Sequence, residues 1–450
     1  MQLLVRHLLM LLLLLIAPSA AADEHGSAAI TRGEPGPAPA LGASSVASVP
    51  SAHYQPPAAN VGLPAIGVLL PLSGRYQPFG ESCLRGIRVA LGALEGRTPV
   101  LRTVILDTRG EPSQAVSAYQ KLAADPGVVA VLGPMLSPEV DAVQSYVHGY
   151  ELTTLNFSQR PVAAGGPLYR FSLTKQDQAK ILAKYAVGEL GARRWAAFHP
   201  DDDYGREISA YFRQWVESLG GRVVADVGYD PRKNDLQTEA KLLQAKLGIV
   251  ENPPPPAHAN AAPPVDGVFL PDAADRLNLL ISYLTFVDIR GMLLLGASGW
   301  NRPQELLAVG PPVNGGVFVD GFFLYSFRPE VRAFVDAYRD AYHADPGALE
   351  AYGYDAAVLL REFIAAGAVT RQMMLAEFRR PFSRHGATGE TLVTADGRIE
   401  KGLFLLKVED GAIHEIETPA TGDSVAPSAA SGSWRGREWD SRSMENRVAH

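Results

Sequence analysis

The stretch IGVLLPLSGRYQPFGESCLRGIRVAL, residues 66–91, decides the fold class of this chain. It opens with a continuous apolar run, Ile66–Leu70, which Pro71 and Gly74 end, and apolar residues then recur at helical spacing from Ser82 to Leu94. A short continuous apolar run is typical of a strand buried on both faces, and the spacing that follows predicts an amphipathic helix. The stretch therefore predicts a strand, a turn and a helix.

The alternation of strand and helix continues over most of the chain. Val104–Leu106 and Val128–Leu132 indicate further strands, and the helical patterns Ser113–Ala124 and Glu139–Val147 follow them. The same rhythm resumes from residue 178 to residue 295. An alternating order of this kind predicts parallel sheets flanked by helices. Because a single sheet would be too wide, we expect an α/β fold of two lobes, each with its own sheet.

The composition excludes several classes of function. The 450 residues include 41 basic and 48 acidic side chains, a formal net charge of -7, which offers no electrostatic footprint for nucleic acid. The lone Cys83 excludes an internal disulfide, a cysteine-ligated zinc site and an iron–sulfur cluster within one chain. The ten histidines lack metal-ligand spacing, and no catalytic motif is present. We therefore expect no metal, no cofactor and no enzymatic activity.

The first 22 residues have the pattern of a secretory signal peptide. Arg6 and His7 precede the apolar run Leu8–Ile16, and three alanines end the segment at Ala22. The apolar run is shorter than the ~20 residues that span a bilayer. No cysteine near the cleavage point is available for a lipid anchor. We expect cleavage near Ala22 and a soluble periplasmic protein that is not embedded in the membrane.

Three further segments are too poor in large apolar residues to form a core. They are a leader at residues 23–60, a proline-rich insertion at residues 252–264 and a tail at residues 418–450. Proline lacks a backbone donor and favours an extended, solvated chain, so we expect the insertion to be a surface loop. The leader and the tail are predicted to be flexible.

Small polar residues follow four of the predicted strands, at the point where each strand ends. Ligands bind at this edge of a parallel sheet, because loops converge there and the N-termini of helices point towards it. Any one of these turns is more often a simple turn or helix cap, and their recurrence at equivalent places is what favours a site. The four turns are Pro71–Gly74, Gly133–Pro138, Asn156–Gln159 and Gly296–Asn301.

From about residue 63 to residue 413 the chain resembles the type I periplasmic binding proteins of the branched-chain amino-acid, or leucine-binding, family. The motifs that carry the resemblance are IGVLLPLSGRYQPFGESCLRGIRVAL, VILDTRGEPSQAVSAYQKL, VVAVLGPMLS and AAFHPDDDYGRE. Members capture ligands for ABC transporters between two hinged lobes. The resemblance implies three crossings between the lobes, with residues 61–173 and 321–385 in lobe 1 and residues 174–320 and 386–417 in lobe 2.

The resemblance also implies a ligand site. In the family, hydroxyls and backbone amides of lobe 1 hold the carboxylate of an amino acid, and a carboxylate of lobe 2 holds its ammonium group. Ser137 stands where the first carboxylate-binding serine stands, Phe79 where an aromatic wall residue stands, and Tyr204 matches the tyrosine of lobe 2. The second hydroxyl falls at Ser158, Gln159 or Arg160, just after Asn156.

The chain departs from the family pattern at the ammonium partner, which falls at Ser298. A serine carries no negative charge, and an ammonium group buried without a counter-charge is strongly disfavoured. Asp272, or an aspartate among residues 201–203, can take this place. Otherwise the ligand is not an α-amino acid.

Two functions follow from the resemblance. The first is capture of a small polar metabolite, an amino acid or an amide, for the permease of an ABC transporter. The turns Leu155–Phe157 and Gly296–Asn301 are also similar to the penicillin-binding protein activators, a branch of this fold whose members act on a cell-wall synthase. Regulation of peptidoglycan synthesis is therefore the second function, and an enzyme of unknown type ranks third.

Overall fold

The computed structural model describes residues 63–93, 101–249 and 264–416. The predicted signal peptide, the leader, the tail and the proline-rich insertion up to residue 263 lie outside the described residues. Within the described ranges, no helix combines the length and the apolar character that crossing a membrane requires.

The first sheet has five strands, all parallel, in the order β2-β1-β3-β4-β5. Its strands are β1 (Ala65–Leu70), β2 (Arg102–Asp107), β3 (Val128–Leu132), β4 (Thr153–Asn156) and β5 (Leu168–Arg170). Every residue of β1, β3 and β4 is buried, as expected of strands covered on both faces. The connecting helices are α1 (Gln77–Leu91), α2 (Pro112–Ala124) and α3 (Ser137–Tyr150). We call this sheet and its helices the first lobe.

A second sheet, the centre of the second lobe, begins with parallel strands in the order β7-β6-β8-β9-β10. These are β6 (Arg194–Pro200), β7 (Arg222–Tyr229), β8 (Gly267–Leu270), β9 (Leu293–Gly296) and β10 (Val317–Asp320). The helices are α4 (Lys175–Ala183), which continues as a π-helix (Lys184–Glu189), α5 (Asp203–Ser218), α6 (Gln237–Lys246), α7 (Leu277–Phe286) and α8 (Pro303–Leu307). Single 3₁₀ turns lie at Ala274–Arg276, Ser298–Trp300 and Pro311–Val313. The predicted α/β fold with two sheets is confirmed.

Three helices follow β10 and bring the chain back towards the first lobe. They are α9 (Pro329–Tyr342), α10 (Ala348–Ala365) and α11 (Arg371–Phe378). α10 packs along α1, and Phe378 of α11 is buried in the same apolar core. α9 lies at the junction, because Phe334 packs with residues of the second lobe while Tyr338 accepts a hydrogen bond from Arg85 of α1.

The sequence pattern does not predict the third, small sheet. Its antiparallel strands are β11 (Phe382–Gly386), β12 (Gly389–Val393) and β13 (Ile399–Lys401). The resemblance places residues 386–417 in lobe 2, but Thr391–Val393 lies in β12 of the small sheet, because Val393 and Ile399 pack into the core of the first lobe. The later part of that segment joins the second sheet. It forms β14 (Phe404–Glu409), antiparallel to β10, and β15 (Ala412–Ile416) completes that edge.

The chain passes between the two lobes three times. The passages lie between β5 and α4, between β10 and α10, and between β13 and β14. Three connections restrict relative motion to a hinge far more than one flexible tether would.

Two glycines allow α1 and α10 to approach at backbone distance. A Cβ atom added to Gly86 would lie 1.8 Å from the carbonyl oxygen of Glu350, and one added to Gly353 would lie 2.3 Å from the carbonyl oxygen of Cys83. Both obstacles are backbone atoms of the facing helix, which cannot rotate away. The contact therefore requires the absence of a side chain at both positions.

We expect Gly86→Ala to lower the free energy of unfolding by about 1–3 kcal/mol, because the added methyl group forces α1 and α10 apart. The matched control is Gly149→Ala in α3, where an added Cβ has no atom within 4 Å. That control should be neutral or slightly stabilising, since alanine favours a helix. Thermal and urea unfolding of both variants provides the measurement, and equal midpoints for the two would contradict the close contact.

Candidate ligand-binding site

Two predicted serines meet at the carboxyl edge of the first sheet. Ser137 opens α3 after β3, and Ser158 follows β4, the neighbouring strand. Because adjacent parallel strands end side by side, the Oγ atoms of Ser137 and Ser158 lie 2.8 Å apart. Ser158 is buried and Ser137 is exposed. The pair presents hydroxyl groups at the edge where ligands of parallel sheets bind.

The other predicted residues of this edge have different roles. Asn156 is fully buried; its Nδ2 donates to the Tyr169 carbonyl oxygen at 2.8 Å, and its Oδ1 accepts from the Ser158 amide at 3.1 Å. The side chain of Asn156 therefore positions Ser158. Gln159 is exposed beside the pair, and Phe79 is half-buried against the core of the first lobe.

A carboxylate already lies at the N-terminus of α3. Glu139 is fully buried, and its Oε2 accepts a hydrogen bond from the Leu136 amide at 3.1 Å. Burial raises the pKa of Glu139, against the opposing effect of its hydrogen bonds. Glu139 accepts a hydrogen bond from one of the free amides at this helix N-terminus. An anion bound here would therefore depend more on the serine hydroxyl groups than on the backbone amides.

The carboxyl edge of the second sheet is acidic. Asp202 caps α5 by accepting the Gly205 amide at 2.8 Å, and Tyr204 follows in the first turn of that helix. Burial, and then the negative charges of Asp272, Asp202 and Asp320, raise the pKa of Tyr204. The charges of three carboxylates that follow strand ends of this sheet thus act on one phenol. Lys175, which forms an ion pair with Glu207, lies 6.0 Å from the ring centroid of Tyr204.

Asp272 is already engaged inside the protein. Its Oδ2 accepts from the Tyr229 hydroxyl at 2.6 Å and lies 3.5 Å from Nε of Arg276, and its Oδ1 accepts from the Ala273 amide at 2.7 Å. Burial raises the pKa of Asp272, and the hydrogen bond from Tyr229 opposes this. Arg276 supplies the counter-charge that a ligand ammonium group would otherwise supply.

Ser298 ties two elements of the second lobe together through its backbone. Its amide donates to Oε1 of Gln178 in α4 at 2.9 Å, and the residue is half-buried. Within the described parts of the chain, no hydrogen bond joins the Ser137–Ser158 pair to Tyr204, Asp272 or Ser298. The predicted residues therefore form separate groups on the two lobes.

Asp320 is the residue that sequence reasoning missed. It ends β10, and its carboxylate accepts from Nδ2 of Asn301 at 2.7 Å and from the Gly321 amide at 2.6 Å. It is 8% exposed, and burial raises its pKa to about 7. No Lys, Arg or His lies within ion-pair distance of Asp320 in the described ranges. The only sequence signal was its place at a strand end, after an apolar run.

A family model for periplasmic binding proteins matches residues 65–412, which is most of the chain. The chain belongs to the periplasmic binding protein family. The resemblance inferred from the four sequence motifs is therefore confirmed.

The relatives of this binding protein include a Leu/Ile/Val-binding protein homolog and a penicillin-binding protein activator. A Leu/Ile/Val-binding protein homolog of Brucella melitensis is 26% identical over 175 residues, 37% of this chain and 46% of that protein. The penicillin-binding protein activator LpoA of Haemophilus influenzae is 23% identical over 360 residues, 77% of this chain and 54% of that protein. The chain thus spans about half the length of these curated relatives.

The solved structures agree on the fold. An ABC transporter substrate-binding protein from Sphaerobacter thermophilus superposes with a TM-score of 0.63 at 24% identity, covering 79% of this chain and 97% of that one. This likeness shows the architecture of the binding protein, with parallel sheets flanked by helices in two lobes. Among the described residues, no group of three or more His, Cys, Asp or Glu side chains is placed to hold a metal ion.

A buried lysine, Lys401, lies beside two of the crossings of this binding protein. Nζ of Lys401 donates to Oγ1 of Thr391 at 2.5 Å and lies 4.5 Å from the ring centroid of Phe171 and 5.8 Å from that of Tyr352. Burial lowers the pKa of Lys401 to about 8, and the charge of Asp355 opposes this. The two rings provide the cation with electrostatic attraction that an apolar core lacks. Lys401 thereby links residues next to two of the crossings.

We expect the unfolding free energy to fall as the pH rises from 4 to 7, relative to the Asp320→Asn variant. The pKa of Asp320 is about 7 in the folded state and about 3.9 in an unfolded chain, so the folded state binds the extra proton between these values. The full difference is on the order of 4 kcal/mol.

Urea titrations of both proteins across this pH range measure the difference. The matched control is Asp288→Asn, which removes an exposed aspartate paired with Arg290 at 3.0 Å. Parallel pH profiles for the wild type and Asp320→Asn would show that Asp320 titrates as an ordinary surface group.

Proposed function

We propose that this protein captures a small polar metabolite, an amino acid or an amide, between its lobes for the permease of an ABC transporter. The observation that carries the proposal is the 2.8 Å approach of the Ser137 and Ser158 hydroxyls at the carboxyl edge of the first sheet. Two hydroxyl groups at one point bind the anionic or carbonyl end of a ligand without adding formal charge. Phe79 and Tyr204 would contact its apolar part.

The second lobe supports a ligand with a donor group at its other end. The charges of Asp272, Asp202 and Asp320 act on Tyr204, and Asp272 is neutralised by Arg276. Asp202 and Asp320 have no cation at ion-pair distance in the described ranges; Asp202 is half-buried and caps α5, whereas Asp320 is buried at the end of β10. An ammonium or amide group of the ligand is the donor that such a carboxylate favours. Asp320 thus takes the role that the sequence pattern placed at Ser298 or Asp272.

The proposed role is binding without turnover, in the periplasm. The family consists of periplasmic binding proteins, and the polar groups of the site are hydroxyls and carboxylates rather than an activated nucleophile with its base. The predicted signal peptide agrees with this location.

A thermal-shift screen with leucine, valine, glutamine and their amides tests the proposal. A ligand at a hundred times its dissociation constant adds about 2.7 kcal/mol to the stability, so a true ligand raises the melting temperature. Ser137→Ala should then weaken binding by about 10- to 100-fold, the value of a hydrogen bond to a charged group.

Ser137 is exposed, so this variant should fold normally. The matched control is Ser282→Ala, which removes a hydroxyl bonded only to its own helix, at the Asn278 carbonyl oxygen. A screen in which none of these compounds shifts the melting temperature counts against the transport function, and so does unchanged affinity in Ser137→Ala.

A second candidate function is regulation of peptidoglycan synthesis. The observation that favours it is that the activator LpoA of Haemophilus influenzae matches 360 residues, 77% of this chain. In this function the two-lobed body binds a cell-wall synthase, and closure over a metabolite is not required.

Affinity purification with the full chain as bait separates the two functions. Recovery of a penicillin-binding protein that survives a wash at moderate salt, together with no response in the metabolite screen, would establish the regulatory function. Recovery of ABC permease subunits, in a ligand-dependent manner, is the result expected from the proposed transport function.

A further inference from the structure

All three crossings between the lobes begin against one side chain, Tyr352 of α10. Phe171 is the first residue after β5, Gly321 the first after β10, and Lys401 the last residue of β13. The ring of Phe171 meets that of Tyr352 edge-on, with 6.4 Å between the centroids, and Nζ of Lys401 lies 5.8 Å from the Tyr352 centroid. A Cβ atom added to Gly321 would collide with the Tyr352 hydroxyl group. One ring therefore contacts the start of every crossing.

Packing alone fixes the position of this ring. Tyr352 is 6% exposed and lies in the apolar core of the first lobe. Its hydroxyl oxygen is buried and has no hydrogen-bond partner among the described residues. Because protein interiors are close-packed, the ring cannot turn without displacing Phe171, Lys401 or the backbone at Gly321. A change in the angle between the lobes is therefore felt at Tyr352.

Two of the crossings are very short. The first consists of residues 171–174 and the third of residues 402–403. The Phe171 amide donates to the Asn156 carbonyl oxygen at 2.7 Å, and the Gly402 amide donates to the Glu390 carbonyl oxygen at 2.6 Å. These bonds tie the start of each crossing to the first lobe or to the small sheet. Bending between the lobes is thus confined to a few residues beside Tyr352.

Lys401 is the charged member of this contact. It is 5% exposed, and its Nζ lies 4.5 Å from the ring centroid of Phe171 as well as near Tyr352. A cation placed against two rings is attracted by both, so the ammonium group joins the first crossing to the third. The charged groups that act on Lys401 come from α10, β11 and β12; they are Asp355, Arg384 and Glu390.

We infer that Tyr352 is the pivot of the movement between the lobes, and that the ammonium group of Lys401 holds this pivot in place. With the charge present, the rings of Phe171 and Tyr352 stay together, and the chain bends only beyond them. Without the charge, the attraction on both rings is lost and bending extends into the first lobe. The charge of one buried lysine therefore sets the range of angles that the two lobes adopt.

Distance measurements by double electron–electron resonance on the full chain test this inference without a ligand. Nitroxide labels on Ser145→Cys in α3 and Ser282→Cys in α7 place one probe at an exposed position of each lobe, and Cys83 is buried. Lys401→Met removes the charge and keeps an unbranched side chain. The ratio of the main distance to other distances should fall by about 2- to 30-fold, the range that a cation–π attraction supplies.

The matched control is Lys407→Met in β14, which removes an ammonium group paired with Glu409 at 2.9 Å. This variant should keep the wild-type distance distribution. Equal distributions in the wild type and Lys401→Met would overturn the inference.

A pH titration of the labelled wild type needs no substitution at the pivot. The pKa of Lys401 is about 8, so the ammonium group loses its proton as the pH rises from 7 to 9. The wild-type distribution should broaden over this range, whereas that of Lys401→Met should stay as broad as it is at pH 7. A wild-type distribution that is the same at pH 7 and pH 9 would contradict the role of the charge.

Substitutions of Tyr352 and Gly321 test the pivot itself. Tyr352→Phe keeps the ring and should keep the narrow distribution, whereas Tyr352→Leu should broaden it. Gly321→Ala should shift the main distance, because its methyl group meets the Tyr352 hydroxyl oxygen. Adding Tyr352→Phe removes that oxygen and should reverse part of the shift. A shift that Tyr352→Phe leaves unchanged, or a narrow distribution in Tyr352→Leu, would refute the pivot.

These measurements are independent of the proposed function. No step uses a ligand, and neither Tyr352 nor Lys401 belongs to the serine pair or to the acidic group of the second lobe. A failed metabolite screen would therefore leave the pivot standing, and a failed distance test would leave the ligand site standing.

Discussion

The first lobe depends on the close contact of α1 with α10, two helices that lie more than 250 residues apart in the chain. Gly86 and Gly353 allow the two backbones to meet, and side chains at these positions would lie within 2.3 Å of the facing helix. The contact brings the end of the chain back to the first sheet. It thereby fixes the second and third crossings, since both begin or end on elements packed around α10. Two of the three crossings of this binding protein therefore lie on elements held by that interface.

Buried polar groups cluster where the chain crosses between lobes. The ring of Tyr352 in α10 lies near Lys401. The hydroxyl oxygen of Tyr352 lies so close to Gly321 that a Cβ atom added there would collide with it. Asp355 accepts hydrogen bonds from the amides of Ala387 and Thr388, which anchors the small sheet to α10. Charges buried in this way are costly unless their partners are well placed, so they favour one arrangement of the crossings over alternatives. The small sheet packs against the first lobe and leads directly into β14 of the second sheet.

The serine pair and the acidic group differ in how far they could be predicted. Ser137 and Ser158 follow adjacent parallel strands, so the order of strands alone brings their hydroxyl groups together. The role of an aspartate depends instead on its neighbours. Asp272 looks available in the sequence, yet Tyr229 of β7 and Arg276, four residues further along the chain, occupy it, while Asp320 has amide partners and no cation within the described ranges.

The sequence by itself determined the α/β class, the two sheets, the family and the serine turn, because apolar periodicity and short motifs are local properties of the chain. Tertiary structure alone decided that Thr391–Val393 belongs to a separate sheet and that Asp320 is buried without a cation at ion-pair distance among the described residues. Each of these depends on contacts between residues far apart in the chain. Charge compensation and enclosed volume are properties of such contacts, and no local pattern records them.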